Sequence, residues 1–163
     1  MTDLRLAPAG ETLDLVLEAG DLALDVGLVT PALLSVYTDG LAEADDEVPD
    51  GSGDRRGWWA AGLLETDGTA PFGSRLWTME RSKLTEPTLA SLEERAREAV
   101  QWMVERGIAE RSEASATRLD LRAAAVDLRL HRGDADERAE LWDAPASALV
   151  VLGPARLSIL AVP

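Results

Sequence analysis

Leucine occupies positions 13, 15 and 17 with Asp14 and Val16 between them, the two-residue period of a strand. Gly20-Asp21 interrupts this run as a turn, and Leu22 and Leu24 resume the alternation. Thr30-Pro31 supplies a helix cap followed by proline in the first turn, which predicts a short helix over 31–38 that ends before Gly40. The period changes most clearly over 85–107: Thr85 caps, Pro87 falls in the first turn, and Leu89, Leu92, Ala96, Ala99, Val100 and Met103 recur at three- and four-residue spacing until Gly107. Glu93 and Arg97 form an i,i+4 pair on the wet face, while Trp102 lies on the flank of the apolar stripe, as a core residue or a contact edge. After Gly107 the alternation returns over 108–120 and 121–132, with a change of parity near Ala123-Ala124 that predicts a bulge. A third strand is predicted over 137–142. Apolar runs at 147–152 and 157–162 flank Gly153-Pro154 and predict a terminal hairpin or a pair of extended arms. The expected fold class is α+β: one long helix packed on a mainly antiparallel sheet, with a short N-terminal β-β-α segment, an α+β domain over 1–143, and an apolar C-terminal arm or hairpin over 144–163.

Between the first helix and the long one the pattern dissolves. Residues 39–54 carry Asp39, Glu43, Asp45, Asp46, Glu47, Asp50 and Asp54 with no basic residue, and Pro49, Gly51, Ser52 and Gly53 mark a surface loop. Asp46, Asp50 and Gly51 sit at positions one, five and six of a calcium-loop pattern, but Val48 at position three and Gly57 at position twelve break it. The loop runs into Asp54-Arg55-Arg56-Gly57-Trp58-Trp59, a concentration of the residue types that dominate interaction hot spots. The alternative is one tryptophan in the core with the other as its lid, and arginines that neutralise the acidic loop.

Charge and composition narrow the chemistry. Thirty Asp and Glu against sixteen Lys and Arg give a net charge of −14 over 163 residues, which disfavours autonomous binding to nucleic acid and to anionic membranes. No apolar run approaches the ~20 residues of a spanning helix. The sequence MTDLRLAPAG lacks the basic and apolar stretches of a signal peptide, so the chain is expected to stay where it is made. Fifteen of the sixteen basic residues are Arg and only Lys83 is lysine, a skew that serves specific protein contacts and that coding bias would also produce. Without cysteine there are no disulfides, zinc-thiolate sites or thiol nucleophiles, and His131 is the single imidazole on which a triad or multi-histidine metal centre would have to rest. It ends the second of the strands predicted after Gly107, beside the polar turn Arg132-Gly133-Asp134, and is expected to be exposed there. Thirty acids bring some carboxylates to glycosidase separations by chance, so a carboxylate-dependent cell-wall glycan hydrolase stands as an alternative, as does a freestanding acidic adaptor. No phosphate-binding loop is present.

Gly20-Asp21-Leu22-Ala23, the helix reaching Tyr37-Thr38-Asp39, the Arg-Arg-Gly-Trp-Trp string, Gly73-Ser74-Arg75-Leu76-Trp77, Ala96-Arg97-Glu98-Ala99 with Trp102, and Leu141-Trp142 follow one another over roughly 140 residues. In that order they resemble the small baseplate proteins of Mu-like contractile phages and prophages, related to the wedge and sheath-initiator family often labelled lysozyme-like. Pro71-Phe72-Gly73-Ser74 resembles the Pro-x-Phe-Gly-Ser of that wider family with one residue missing. Glu105-Arg106-Gly107-Ile108 keeps the Glu, Arg and Ile of its Glu-Pro-Arg-Ile loop but loses the proline and changes the order. The resemblance implies a non-enzymatic wedge subunit without cofactor, located in the tail baseplate of the virion and in host cytoplasm before assembly. Its implied partners are other wedge and hub proteins and the tail sheath protein, with several copies in a ring and a monomer when isolated. Arg55, Arg56, Trp58, Trp59, Ser74, Arg75, Trp77, Glu105 and Arg106 are the implied contact residues. The 147–163 arm or the 108–142 strands are expected to offer an edge that templates the first sheath ring.

Overall fold

The computed structural model describes residues 3–9, 12–25, 27–64, 71–119, 124–132, 148–152 and 157–161. The strand predicted over 137–142 and Ala123 of the predicted bulge lie outside them.

The N-terminal residues form three short antiparallel pairs rather than one hairpin. β1 (Asp3–Leu4) pairs with β6 (Leu24–Asp25), β2 (Leu6–Ala9) with β3 (Thr12–Leu15), and β4 (Leu17–Glu18) with β5 (Asp21–Leu22). Three segments therefore exchange partners at Arg5, Val16 and Ala23. The Arg5 amide donates to the Ala23 carbonyl (2.8 Å), Ala23 to Val16 (2.8 Å) and Val16 to Arg5 (3.0 Å), a closed three-way ring that satisfies one donor and one acceptor on each segment. The expected strand over 12–18 is thus broken at Val16 by a change of partner. The turn between β4 and β5 has positive φ at both central residues, Ala19 (52°) and Gly20 (88°), the type I′ geometry that matches strand twist in a two-residue hairpin.

Helix α1 spans Val29–Tyr37 and begins two residues before its predicted start. Thr30 was the expected cap, but Asp25 performs that task from the end of β6: its carboxylate accepts from Gly27 N–H (2.8 Å) and Thr30 N–H (2.7 Å). This frees the Thr30 hydroxyl to donate to the Leu4 carbonyl (3.0 Å) and accept from Leu6 N–H (3.2 Å), which ties the helix to the strand junction. Asp25→Ala should lower the unfolding free energy by about 1–2 kcal/mol, since two amides at a buried helix start lose their acceptor. An unchanged urea midpoint would show that solvent replaces the carboxylate.

The predicted long helix is two helices. α3 (Glu86–Ala99) starts as expected, with Thr85 Oγ1 accepting from Thr88 N–H (3.4 Å) and proline in the first turn. It ends at Val100, whose N–H donates to the Arg97 carbonyl (3.2 Å) and whose φ of −109° and ψ of 5° are not helical, and α4 (Gln101–Glu105) follows. Val100 and Met103 are both fully buried, so the break lets the second helix keep turning apolar side chains inward. α2 (Ala61–Leu64) is a single turn after the acidic loop, and a 3-10 turn occupies Leu76–Met79.

β7 (Arg111–Arg118), β8 (Ala124–His131), β9 (Ala148–Leu152) and β10 (Leu157–Ala161) make an antiparallel sheet in the order β10-β9-β8-β7. Of the two C-terminal forms left open by the sequence, the hairpin is the one observed, and β9 pairs with β8 as well as with β10. α3 lies over β7 and β8. Leu89, Leu92, Ala96, Ala99 and Met103 meet Ala124, Val126, Leu128 and Leu130 in one core that also takes Leu33, Val36 and Leu76. The fold is a mixed one of helices and small antiparallel sheets.

Candidate functional site

The acidic loop and the Arg-Arg-Gly-Trp-Trp string are positioned by a backbone crossing. Gly40 N–H donates to the Ser74 carbonyl and Ser74 N–H to the Thr38 carbonyl, both at 2.8 Å, so residues 38–40 and 73–74 run side by side as an isolated parallel bridge. The approach leaves no room for side chains: a Cβ on Gly73 would lie 2.9 Å from both Gly40 Cα and Gly40 N. Ser74 is buried in the crossing, and its hydroxyl accepts from Leu76 N–H (3.1 Å). Trp77 is buried directly behind it, donating from its indole N–H to the Gly40 carbonyl (2.9 Å). Arg56, in the left-handed region at φ 49°, stacks its guanidinium 4.4 Å from the Trp77 ring and pairs with Asp39 at 3.0 Å.

Asp46 holds the loop to the helical layer. Its carboxylate receives Arg75 from the start of the 3-10 turn (3.0 Å) and Arg95 from α3 (2.6 Å), and its other tie is to the Glu43 N–H (2.8 Å). Arg75 also reaches Glu43 (3.0 Å) and Glu98 (2.7 Å). Arg95 contacts the Thr78 hydroxyl and donates to the Arg75 carbonyl at 3.2 Å. Burial alone would raise the Asp46 carboxyl, but the Glu43 amide and the two guanidiniums outweigh it and hold it below its ordinary value. Asp50, on the same loop, is also held low, by the hydroxyl and amide of Ser52. A carboxyl acting as general acid needs the opposite displacement.

Around this frame the aromatic rings form a ladder. Trp102 donates from its indole N–H to the hydroxyl of fully buried Ser35 (2.9 Å), Phe72 meets Trp102 edge-on at 5.8 Å, Trp58 lies 5.2 Å from Phe72, and Trp59 lies 6.0 Å from Trp58. The ladder begins in the core and ends in solvent, where Trp59 is 87% exposed beside the short helix that carries exposed Leu63. Leu41 is exposed over Gly57, and a cleft of about 440 Å³ between Leu41, Arg55, Phe72, Arg75, Glu98 and Gln101 opens next to it.

The structure thus gathers Arg55, Arg56, Trp58, Trp59, Ser74, Arg75 and Trp77 around one crossing, but in two layers. Ser74, Arg75 and Trp77 support from beneath, and Arg55, Arg56 and Trp59 face outward, with Trp58 half-buried between. Arg55 reaches back to the Ala42 carbonyl and so clips the two ends of the acidic loop together. Glu105 and Arg106 are exposed at the end of α4, where the Arg106 guanidinium lies 5.9 Å from the Trp102 ring, at the inner end of the ladder. His131 closes β8 as expected but is half-buried instead of exposed, with Nε2 3.4 Å from Glu113 on the neighbouring strand. Asp46 and Arg95 were missed by sequence reasoning. Asp46 stood out only as position one of a broken calcium-loop pattern, which says nothing of an arginine partner, and Arg95 reads as one more wet-face residue. Among the described residues no cluster of His, Asp and Glu could hold a metal ion, and no helix is long and apolar enough to cross a membrane.

A family model for phage protein GP46 matches residues 28–137, which includes the crossing, the ladder and the core helix. The chain belongs to that family. Two family relatives show how far the likeness reaches. The "Baseplate protein gp46" of Escherichia phage Mu is 38% identical over 103 residues, covering 63% of this chain and 68% of the relative. The "Mu-like prophage FluMu protein gp46" of Haemophilus influenzae is 35% identical over 109 residues, covering 67% and 71%. No solved structure matches.

Proposed function

We propose that this GP46-family chain is a structural, non-enzymatic subunit of a contractile-tail baseplate, located in the virion after assembly in host cytoplasm. Its finer role is that of a wedge component, monomeric alone and present in several copies in the ring, that links wedge and hub proteins and templates the first ring of sheath. The phage Mu relative's name supports the coarse reading. The observation that carries the interface is Trp59: a tryptophan 87% exposed, backed by a ladder of rings rooted at Ser35, is a rigid anchor with little rotamer entropy left to lose on docking. Arg55, Arg56 and Trp58 flank it, Ser74, Arg75 and Trp77 hold the crossing beneath, and Glu105 and Arg106 extend the contact along α4. Templating by strand addition would use the sheet edges β7 and β10. The outward Ala116 N–H of β7 already donates to the Glu93 carboxylate (2.8 Å), and β10 lies against β2, so each edge is already partly engaged within the chain.

The test is complementation of a phage or prophage lacking this gene, with sheathed tails counted by electron microscopy. Trp59→Ala combined with Leu63→Ser should reduce sheathed tails by about tenfold or more. The isolated variant should keep its urea midpoint to within about 0.5 kcal/mol, because both side chains are exposed. Wild-type tail numbers from this variant would overturn the assignment of the interface.

A further inference from the structure

The N-terminal junction carries an internal repeat. Asp3-Leu4-Arg5-Leu6, Asp14-Leu15-Val16-Leu17 and Asp21-Leu22-Ala23-Leu24 each read Asp-Leu-x-Leu, and the three x residues are the ones that close the hydrogen-bonded ring. In each copy the aspartate Oδ1 accepts from the next leucine's N–H at 2.8 Å. The leucines meet as cross-strand pairs, Leu4 with Leu24, Leu6 with Leu15 and Leu17 with Leu22. Residues immediately before and after a ring residue share one side of their strand, so the pseudo-threefold plate presents leucine on one side. On its other side Ala23 and Asp25 are buried, and Asp25 caps α1.

That leucine side is largely uncovered. Leu17 is 69% exposed and Leu24 56%, with Leu4, Leu15 and Leu22 also exposed, and of the six only Leu6 packs against the core. The same four-residue pattern recurs once more, at Asp127-Leu128-Arg129-Leu130 in β8, and there both leucines are under α3 at 6% and 7% exposure. A contiguous group of five exposed leucines on a small acidic protein is the kind of patch that marks an interaction site. The family model's match begins at residue 28, so the plate lies outside the part shared with it.

Charge selects the occupant. Asp3, Asp14, Glu18 and Asp21 alternate with the leucines, so they stand on the other side of their strands, and all four are exposed, which makes the rim of this small plate acidic; Arg5, the single basic residue among the first 27, is taken by Glu18. A second copy of this chain would set acidic rim against acidic rim, and an anionic lipid surface would be repelled in the same way. We propose that the leucine plate docks a different protein, one that presents an apolar patch bordered by Lys or Arg.

The experiment places p-benzoylphenylalanine at position 17 of the full chain, co-produced with the other proteins of its particle, and identifies the photocrosslinked product by mass spectrometry. The expected product joins position 17 to another protein at an apolar segment flanked by Lys or Arg. Its yield should fall about tenfold when Asp14→Lys and Asp21→Lys invert the rim. A crosslinked dimer of this chain, a lipid adduct, or no product would overturn the proposal. Leu22→Ser with Leu24→Ser should leave the urea midpoint of the isolated chain unchanged, and a clear drop would show that these leucines hold the fold instead and would equally overturn it.

Discussion

Asp46→Asn should lower the unfolding free energy at neutral pH by about 2–3 kcal/mol, somewhat less than the loss of a fully buried ion pair because both guanidiniums keep some solvent. The asymmetry lies with the arginines. Arg75 retains Glu43 and Glu98, whereas Arg95 is left with the Thr78 hydroxyl and a carbonyl and has no other carboxylate within reach among the described residues. The pH dependence gives the stricter test. Asp46 is held below its ordinary value of 3.8, so the folded chain keeps this carboxylate ionised at a pH where the unfolded chain has begun to bind a proton. Its contribution is therefore fully present above about pH 4–5 and is lost as pH falls through the folded-state value. Urea midpoints of wild type and Asp46→Asn should stand apart at pH 7 and draw together toward pH 2.5. A gap that stays constant over that range would show that Asp46 acts through packing and not through charge.

Gly73→Ala should cost about 2–4 kcal/mol through two effects that add: φ of +110° is unfavourable for any side chain, and the new methyl would meet the Gly40 backbone at 2.9 Å. Backbone cannot rotate away as a side chain would, so the crossing must open. That would lengthen the Gly40–Ser74 hydrogen bond and withdraw the carbonyl to which the Trp77 indole donates. Near-ultraviolet circular dichroism should report the loss of fixed tryptophan geometry along with a lower melting temperature. Gly53→Ala is the control: it sits on the acidic loop, has no left-handed φ, and its Cβ would meet nothing within 4 Å, so its stability should be unchanged or up by a few tenths of a kcal/mol. Equal behaviour of the two variants would mean that the crossing does not constrain the site.

Much of the core was legible because it rests on local signals. Thr85, Pro87 and the spacing of Leu89, Leu92, Ala96 and Ala99 describe α3 in terms of capping and a single buried face, and the structure uses all of them that way. The break at Val100 was not legible, since the apolar spacing continues through it to Met103. At α1, Thr30-Pro31 resembled a cap, yet Asp25 supplies the acceptor from across a strand end. The aromatic and arginine residues of the candidate site were recognisable by type, but their sorting into an inner layer of Ser74, Arg75 and Trp77 and an outward layer of Arg55, Arg56 and Trp59 was not. That sorting depends on the contact between Gly40 and Gly73, thirty-three positions apart and without side chains to signal it.

The Asp-Leu-x-Leu pattern shows where the boundary falls. Alternation makes each copy a strand with a leucine side wherever it occurs, because period two is a property of the extended backbone itself. Whether that side is covered depends on what else the chain brings to it. In β8 a fourteen-residue helix lies across Leu128 and Leu130, whereas in the N-terminal junction five of the six leucines stay exposed. The local pattern therefore determined strands and helices and their apolar sides. Tertiary packing decided which of those sides became core and which, at Trp59 and at the leucine plate, were left to face a partner, since burial is settled by long-range contacts that no short stretch of sequence contains.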